Sequence, residues 1–485
     1  MVLQNRTLFF GDNLHVIEEK IPDNFFDLIY LDPPFNSNRK YSVLFKEGKK
    51  DSSAQIHAFE DTWEWTPPTI RLFEDLKENQ NPQIAILINS LHEFIGDTPM
   101  MAYLVNMTAR LIPIRKVLKD TGSIYLHCDP TASHYLKLIL DVIFGKQNFR
   151  NEIVWCYRGG GVPAKDFANR HDIIFRYSKS NDYNFYVDAV RIPYSEESLE
   201  RLKYKARAFR GDRVYDNYEA NIGGKHPEDW WEIQPIMPSS KERLGYPTQK
   251  PERLLERIVL ASTKEGDWVL DPFCGCGTTV AVAERLNRKW IGIDISMQAV
   301  NVILNRMTYH YPDIDIKIDG IPMDFESAQA MAEKDKYAFQ DWGITLVGAN
   351  PPRGERKKGG DQGIDGIILF RDKVDFANPK LKKIIVQVKG GATNRGDIAK
   401  LKGDIEREDA PMGVLITLLE PTAGMKREAA LAGEYKYVEG VCFPRIQILS
   451  VNDWFNGKEV KLPSDKINPF KKAKDKSNQL PLLPE

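Results

Sequence analysis

The chain has 485 residues, of which 42% are hydrophobic and 28% charged, and 67 basic against 68 acidic residues leave a net charge of -1. This length predicts two or three domains, and the composition is typical of folded globular domains. The near-zero charge excludes nucleic-acid binding through bulk charge, so any nucleic-acid surface has to be local.

The five cysteines are scattered along the chain, and Cys274 and Cys276 form CGC instead of the CxxC of a zinc site. An odd, scattered set argues against a disulfide framework and for a reducing compartment. The N-terminus lacks a basic segment followed by an apolar one, and no segment approaches about 18 consecutive apolar residues. We therefore expect a cytoplasmic protein.

Short apolar strands alternate with helices along the first two thirds of the chain. This alternation predicts an α/β fold in which a mostly parallel sheet is covered by helices. The predicted strands are 7–10, 27–31, 123–127, 173–177, 268–270 and 290–293, and the predicted helices are 102–118 and 280–286.

Two stretches, 41–100 and 185–245, break this alternation, and we interpret both as insertions carried by the sheet. Near residue 330 the chain becomes helical and then basic and glycine-rich, which indicates a domain boundary. We expect a first domain over 1–325, a smaller α/β domain over 330–460 and a basic, flexible tail over 461–485.

The segment Asp32-Pro33-Pro34-Phe35 directly follows an apolar strand, at the strand end where open α/β sheets bind ligands. An exocyclic base amine is a poor nucleophile because its lone pair is delocalised into the ring. The Asp32 carboxylate and the Pro33 carbonyl can accept its hydrogens as the nitrogen becomes positive, and Phe35 can stack on a flipped base. Taken alone, the motif is equally compatible with an ordinary turn.

A second motif, LDPFCGCGTT at 270–279, lies between a strand and a helix. Gly275 and Gly277 allow a tight turn lined by backbone N–H groups. Asp271 can bind a cationic amino group, and Asp294, at the end of the next strand, suits a ribose diol. The alternative is a generic Rossmann-like turn.

Together these motifs resemble the DNA amino-methyltransferases of the permuted, beta-type order, in which the catalytic motif precedes the cofactor motif. YPTQKP at 246–251 is similar to the segment that packs on the methionine end of the cofactor, and GDN at 11–13 to the segment that reaches its adenine. The resemblance covers about residues 5–310 and implies S-adenosyl-L-methionine as cofactor, double-stranded DNA as partner and association with the nucleoid. The cofactor contacts that it implies are Asp12, Lys250, Asp271, Phe273, Gly275, Gly277, Thr278, Thr279 and Asp294.

The initial Asp of DPPF resembles adenine-N6 enzymes, whereas cytosine-N4 enzymes more often begin with Ser. We therefore expect transfer to N6 of adenine, with N4 of cytosine as the alternative. Phe35 stands where the family commonly has Tyr. Two further alternatives are an RNA or protein methyltransferase and a restriction protein whose methyltransferase half only senses the cofactor.

Residues that contact DNA are harder to assign. Trp155, Tyr157 and Arg158 precede Gly159–Gly161 and can line the flipped base or clamp a strand, with an ordinary strand and loop as the alternative. His171-Asp172 can lie near the target, with a structural role as the alternative. The stretch 185–245 is the candidate target-recognition region, with a solvated surface as the alternative. Its basic residues include Arg201, Lys203, Lys205, Arg207, Arg210 and Arg213.

The C-terminal part carries a third pattern, in which Asp365 opens an apolar strand and Gln387 and Lys389 alternate on the strand 384–389. An Asp and a Gln on adjacent strands can hold Mg²⁺, and with a Lys they can orient a water for phosphodiester cleavage. This resembles the Mrr-like PD-(D/E)xK restriction endonucleases, with Asp341 as the candidate for the helical acid.

The C-terminal resemblance covers about residues 335–455 and implies a Mg²⁺-dependent endonuclease. Methyltransferase and nuclease in one chain would form a restriction–modification system, with a homodimer as the candidate assembly. The alternative is a degenerate domain that is kept for DNA binding.

Overall fold

The computed structural model describes residues 3–34, 40–47, 50–60, 63–78, 81–159, 163–203, 208–210, 213–215, 223–246, 248–352, 363–372, 380–438, 440–464 and 466, with only the backbone for 40–60 and 201–215. The expected tail therefore lies almost entirely outside the described residues. None of the helices in these ranges is long and apolar enough to cross a membrane.

The described strands are β1 (Thr7–Phe10), β2 (Phe26–Leu31), β3 (Lys40–Glu47), β4 (Lys50–Glu60), β5 (Leu118–Cys128), β6 (Phe149–Cys156), β7 (His171–Ser178), β8 (Ala208–Arg210), β9 (Arg213–Tyr215), β10 (Trp230–Glu232), β11 (Trp268–Asp271), β12 (Lys289–Asp294), β13 (Lys317–Asp319), β14 (Gly366–Asp372), β15 (Lys380–Lys389), β16 (Met412–Thr417), β17 (Glu434–Val438), β18 (Val441–Pro444) and β19 (Ile446–Ser450).

The described helices are α1 (Asn13–Lys20), α2 (Pro67–Lys77), α3 (Pro82–Ile95), α4 (Pro99–Val117), α5 (Pro130–Leu140), α6 (Glu196–Lys203), α7 (Glu252–Ser262), α8 (Thr278–Arg285), α9 (Met297–His310), α10 (Phe325–Lys334), α11 (Lys336–Thr345), α12 (Arg395–Arg407), α13 (Ala423–Leu431) and α14 (Val451–Phe455). Short π and 3₁₀ turns lie at Asp141–Gly145, Lys146–Asn148 and Val187–Val190.

A nine-stranded sheet forms the centre of the first domain, in the order β10-β6-β7-β5-β2-β11-β12-β1-β13. Only β7 runs antiparallel to its neighbours among these strands. The expected α/β class with a mostly parallel sheet is therefore confirmed. Since the parallel strands end at one edge, the loops that follow β12, β11, β2 and β5 meet there. We call it the carboxyl edge.

Alternating residues of the strands pack into two separate apolar layers, one on each face of the sheet. Phe9, Ile29 and Leu31 face helices α1 to α5, whereas Leu28 and Tyr30 face helices α7, α8 and α9. Burial on both faces explains why the central strands read as nearly continuous apolar runs.

The two interrupting stretches are more integrated than the sequence indicated. In 41–100, α2 and α3 lie outside the sheet but pack on its core through side chains that include Phe73 and Ile88, so they are not peripheral. In 185–245, β10 pairs in parallel with β6 and extends the edge of the sheet. Both differences arise because packing against distant elements overrides a polar local composition.

The C-terminal domain contains a four-stranded sheet in the order β14-β15-β16-β19. Helix α11 packs on one face, where Phe339 and Trp342 meet Val388. Helices α12 and α13 pack on the opposite face against Ile385 and Leu415. The last strand of the large sheet is β13, and the core of the small sheet already includes Ala328 and Ala332 of α10. The domain bounds expected from the sequence stay predictions.

Candidate active site

Asp32 and Asp271 lie at the ends of neighbouring strands. Strand β2 pairs with β11 in parallel, with Ile29 opposite Leu270, so both acids emerge at the carboxyl edge. Burial raises the pKa of Tyr30 well above its usual value, and the charges of Asp32, Asp271 and Asp172 raise it further. The three carboxylates thus act electrostatically on one buried ring.

The glycine turn at 275–277 depends on backbone geometry that only glycine adopts easily. Gly275 and Gly277 have φ angles of +49° and +73°. A Cβ added at Gly277 would also lie 2.6 Å from Cγ1 of Ile303 in α9. The turn therefore lets the chain pass closely over α9 into α8, and side chains other than hydrogen would clash there.

Asp271 is buried and Asp294 is half-buried, and both carboxylates receive only neutral donors in the described structure. Asp294 accepts hydrogen bonds from the N–H groups of Gly275 and Ser296, both at 2.8 Å. Asp271 accepts from the Phe273 N–H at 3.1 Å and from the Thr279 hydroxyl. Burial raises the pKa of Asp271 to about 7 and that of Asp294 to about 6. A cationic or hydroxyl-bearing ligand would stabilise the charged form of both carboxylates and offset the cost of burying them. S-adenosyl-L-methionine carries both kinds of group.

Asp12 stands at the same edge, after β1 and beside Asp294, where Phe10 pairs with Asp294. Its carboxylate caps α1 through the N–H of Leu14 at 2.8 Å and binds the guanidinium of Arg110, with both oxygens 3.0 Å from Nη2. Arg110 holds the carboxylate in place, and the contact of Asp12 to the cofactor adenine stays a prediction.

Lys250, which the resemblance assigns to the cofactor, forms an ion pair with Asp32. Its ammonium lies 2.8 and 2.7 Å from the two carboxylate oxygens of Asp32. The Lys250 carbonyl accepts from the Thr278 hydroxyl at 3.3 Å, which ties this segment to the glycine turn. Lys250 thus lies between the predicted catalytic acid and the predicted cofactor loop.

The residues after Asp32 are partly described. The Pro34 carbonyl accepts a hydrogen bond from the indole N–H of Trp63 at 3.1 Å, which anchors the segment that follows Pro33. Phe35 lies outside the described residues, so its stacking role stays a prediction.

A buried histidine in this site was not singled out from the sequence. His127, near the end of β5, is 0% exposed, and its Nε2 lies 3.3 Å from a carboxylate oxygen of Asp172. Its Nδ1 lies 2.9 Å from the Tyr30 hydroxyl and 3.7 Å from an oxygen of Asp32. A polar residue near the end of a predicted strand beside β2 was the one signal that could have identified it.

Trp155 does not have the position that the sequence suggested. It is only 3% exposed, its indole N–H donates to the Ile233 carbonyl at 2.7 Å, and its ring packs edge-on against His127. The prediction that Trp155 clamps DNA or lines the base is therefore wrong. A residue that alternates inward on a half-buried strand faces the core whatever its chemistry.

Tyr157, Arg158 and Gly159 instead line an open cleft of about 630 Å³ at the carboxyl edge. Arg158 forms an ion pair with Glu232 at 2.5 Å, and the Tyr157 hydroxyl donates to Asp172 at 3.4 Å. The other lining residues are Pro163, Asp166, Phe167, Ala168, Asn169, Arg170, Pro235 and Met237. Gly160 and Gly161 lie outside the described residues.

The candidate recognition residues remain predictions. Lys205 and Arg207 lie outside the described residues, and for Arg201, Lys203, Arg210 and Arg213 only the backbone is described. His171 begins β7 opposite Cys156, next to Asp172.

In the C-terminal domain, Asp365 and Gln387 come together. Asp365 precedes β14, and its carboxylate accepts the Val388 N–H at 2.7 Å. The Gln387 amide donates to Asp404 of α12 at 2.5 Å, and Arg407 donates to the other oxygen of Asp404 at 2.6 Å. Lys389 ends the same strand.

The proposed helical acid, Asp341, is on the wrong face of this sheet. Helix α11 packs on the face of Val388, whereas Gln387 points to α12 because side chains alternate along a strand. Asp404 is the helical acid that meets Gln387. Among the described residues, no cluster of three or more His, Cys, Asp or Glu side chains suits a metal ion.

A Rossmann-like sheet with an acid-led glycine turn beside a DPP motif defines the methyltransferase class. Residues 26–305 match the N6/N4 DNA methylase family, and the chain belongs to that family. It is therefore a DNA methyltransferase of the kind that uses S-adenosyl-L-methionine. Residues 353–448 match a second family, described as NACHT-associated inactive restriction endonuclease 1. The finer assignment to the Mrr-like branch stays a prediction.

Several curated proteins are similar to the first domain. The type II methyltransferase M2.LlaDCHI of Lactococcus lactis subsp. cremoris is 43% identical over 63% of this chain and 90% of its own length. The type II methyltransferase M.BglII of Bacillus subtilis is 28% identical over 61% of this chain and 67% of its own. The DNA adenine methyltransferase YhdJ of Escherichia coli K12 is 28% identical over 62% and 82%.

Proposed function

We propose that this protein methylates N6 of adenine in double-stranded DNA at a specific sequence. The observation that carries the proposal is the pairing of β2 with β11, which brings the Asp32 carboxylate beside the glycine turn. The initial Asp of the DPP motif and the similarity to an enzyme named as an adenine methyltransferase support adenine over cytosine.

The acids and the glycine turn would hold the cofactor, which supplies an electrophilic methyl group. Asp271 would bind its cationic amino group and Asp294 its ribose diol, since both carboxylates receive only neutral donors in the described structure. Asp12 would lie against the adenine, and Lys250 at the methionine end. The remaining contacts would come from Phe273, Gly275, Gly277, Thr278 and Thr279.

The target amine would meet Asp32 and the Pro33 carbonyl. Both accept hydrogen bonds, so they stabilise the positive charge that develops on the attacking nitrogen. Phe35 would stack on the flipped base and fix its plane. The amine loses its proton after alkylation, because only then is it acidic. The residues of this chain thus supply position and charge stabilisation, without a covalent enzyme intermediate.

The cleft beside Asp172 would receive DNA next to the target base. It opens at the same edge as Asp32, and Phe167 in its lining is 99% exposed. Apolar side chains commonly enter the base stack where a protein distorts a duplex. Arg158 and Arg170 in the same lining can contact phosphates.

Sequencing that detects modified bases, applied to genomic DNA from cells that express the protein, tests this function. The expected result is N6-methyladenine at one recurrent site, with no such mark in cells that express Asp32→Ala. N4-methylcytosine at a recurrent site would overturn the choice of base, and an absence of any DNA mark would overturn the activity.

We further propose that the chain acts in restriction–modification, with a C-terminal domain that contacts DNA and does not cleave it. The match to a family described as inactive supports this proposal. The Asp404 carboxylate also supports it, because its two oxygens already accept hydrogen bonds from Gln387 and Arg407. The test is incubation of methylated and unmethylated plasmid with Mg²⁺, comparing wild type with Lys389→Ala. Cleavage by the wild type alone would overturn this proposal and support a Mg²⁺-dependent nuclease instead.

A further inference from the structure

Two loops at the carboxyl edge have to keep a fixed separation if they hold the two reactants. The Asp32 loop, residues 32–34, follows β2, and the Asp271 loop, residues 271–273, begins at the last residue of β11. The register between these two strands ends at Ile29 and Leu270, so other contacts have to set the separation of the loops. When two reactants must be aligned, a misplacement of about 1 Å can cost about 100-fold in rate.

Each loop is held through the carbonyl of a proline. The Pro34 carbonyl accepts a hydrogen bond from the indole N–H of Trp63 at 3.1 Å, and the Pro272 carbonyl accepts one from the side-chain amide of Asn13 at 2.7 Å. Neither donor belongs to the sheet, since Trp63 precedes α2 and Asn13 begins α1. The position of each loop therefore depends on a side chain from another element.

The side chains of Trp63 and Asn13 both contact Arg110 of α4. Nε of Arg110 donates to Oδ1 of Asn13 at 2.7 Å. The central carbon of the guanidinium lies 5.6 Å from the centre of the Trp63 ring, which is within the range of a cation–π contact. A single side chain thus separates Arg110 from each of the two loops.

The guanidinium of Arg110 is itself held from several directions. Arg110 is only 7% exposed, and its Nη1 donates to both the backbone carbonyl and the side-chain oxygen of Asn106, at 3.1 Å each. Its Nη2 lies 3.0 Å from both carboxylate oxygens of Asp12. Asn106 lies one turn earlier on the same helix, so it fixes the guanidinium against α4. A planar guanidinium can hold several acceptors in fixed directions, whereas a lysine ammonium is a compact point charge on a flexible stem.

We propose that Arg110 is a positioning residue that holds the Asp32 loop and the Asp271 loop at a fixed separation. It acts on one loop through Trp63 and on the other through Asn13. The effect on catalysis rests on the proposed function, in which the first loop holds the target amine and the second the cofactor. The simpler alternative is that Arg110 only neutralises Asp12 and that each loop contact stabilises its own segment.

The first test is hydrogen–deuterium exchange of the full-length protein, which does not depend on methyl transfer. Asn13→Ala removes the contact to the Asp271 loop, and we expect faster exchange also in a peptide that contains Asp32, because Arg110 loses a partner. Asn148→Ala is the matched control, since Asn148 is also buried and its amide donates to the Phe144 carbonyl, far along the chain from both loops. Faster exchange at the Asp271 loop alone would overturn the proposal.

The second test is the single-turnover rate of methyl transfer at saturating cofactor, on a duplex that contains the mapped site. Trp63→Phe keeps an aromatic ring over Arg110 but removes the donor to the Pro34 carbonyl. We expect a rate about 10-fold lower, with the cofactor dissociation constant unchanged, because only the alignment of the two loops is affected. Trp454→Phe, in α14 of the C-terminal domain, is the control. An unchanged rate in Trp63→Phe would overturn the proposal.

The double variant Asn13→Ala with Trp63→Phe separates one linked unit from two independent contacts. Both contacts end at the same guanidinium, so the double variant should lower the rate by less than the product of the two single effects. A product of the two effects would show independent contacts and overturn the proposal. If the wild type transfers no methyl group to DNA, the proposed function fails, and the exchange experiment alone decides this inference.

Arg110→Lys separates geometry from charge. The lysine keeps a positive charge beside Asp12 but lacks the planar fork that reaches Asn13 and Asn106 at the same time. We expect this variant to exchange faster at both loops and to lose about 10-fold in rate. A wild-type rate and exchange pattern in Arg110→Lys would show that Arg110 only neutralises Asp12, and would overturn the proposal.

Discussion

The ammonium of Lys250 lies 2.8 and 2.7 Å from the two carboxylate oxygens of Asp32, a residue 218 positions earlier in the chain. The Lys250 side chain is only 10% exposed, so the ion pair is shielded from solvent. The TQKP segment thus reaches the predicted catalytic acid as well as the cofactor loop. A substitution of Lys250 should therefore affect the rate of methyl transfer and the affinity for the cofactor to different extents.

Lys250→Met should reduce methyl transfer more than it reduces cofactor affinity. Removing one partner of a buried ion pair leaves the other charge uncompensated, which disturbs Asp32 directly. We expect a loss of about 10-fold or more in the single-turnover rate, with a smaller change in the cofactor dissociation constant. Lys241→Met, at an exposed position, is the control. A variant that loses cofactor affinity but keeps its rate at saturation would make Lys250 a cofactor ligand alone.

Asp32→Asn should abolish methyl transfer and preserve cofactor binding. The amide keeps the size of the side chain but loses its charge and one acceptor oxygen, so the developing positive charge on the amine is not stabilised. We expect a decrease of about 100-fold or more in transfer of a tritiated methyl group to DNA. Asp23→Asn, at an exposed loop, should behave as the wild type. Retained transfer would refute the role of Asp32.

Cofactor binding should strengthen as the pH rises through 6 to 7. The pKa of Asp271 is about 7 and that of Asp294 about 6 because burial raises both values, so each carboxylate must lose a proton before it can bind a cation or accept from a diol. Affinity should weaken by up to about tenfold for each pH unit below this range, and binding should release protons. Calorimetry in buffers of different ionisation enthalpy measures this release.

The same pKa shift predicts a gain in stability for Asp271→Asn. A carboxyl group whose pKa is raised on folding favours the folded state at low pH, and this contribution is lost as the pH rises from about 4, the unfolded value, to about 7. The variant should therefore melt at a higher temperature than the wild type at pH 8, with a smaller difference at pH 5, although it binds the cofactor poorly. Equal melting temperatures of the variant and the wild type at pH 8 would show that the buried, charged Asp271 carboxylate does not destabilise the fold.

Phe167→Ala should impair methylation of duplex DNA in particular. Phe167 is 99% exposed in the lining of the cleft, and an aromatic side chain that enters the base stack lowers the energy of the flipped state. The defect should shrink when the target adenine faces an abasic site, because unpairing then costs less. Phe94→Ala is a matched control, since Phe94 is 78% exposed on α3. Equal defects on both substrates would exclude a role in base flipping.

Much of the fold and part of the site could be predicted from local sequence. The strands before Asp32 and Asp271 are short apolar runs that end in a turn, and such runs specify strands with little help from the rest of the chain. The glycines at 275 and 277 predicted a tight turn from the sequence. The structure gives the reason, since both have positive φ angles that most other residues rarely adopt. The two motifs and the resemblance they carry imply one shared sheet, and the pairing of β2 with β11 brings Asp32 and Asp271 to neighbouring strand ends.

Other parts of the site required the folded chain. Trp155 was assigned to DNA by its chemistry, yet it faces the core, since the direction of a side chain depends on which face of the strand is covered. Asp341 was assigned to the C-terminal cluster by its place on a helix, but that helix covers the opposite face of the sheet from Gln387. Which face of β6 is covered, and which face of the small sheet α11 covers, cannot be read from the local sequence of either element.

By itself the sequence determined the class of the fold, the two acid-led motifs and their positions at strand ends, because turns and strands depend on local backbone preferences. Only the tertiary structure decided that Lys250 pairs with Asp32, that His127 lies between Asp32 and Asp172, and that Asp404 meets Gln387. These contacts follow from the order of strands in each sheet and from which helices cover each face. That order minimises exposed apolar surface over the whole chain, so short segments do not reveal it.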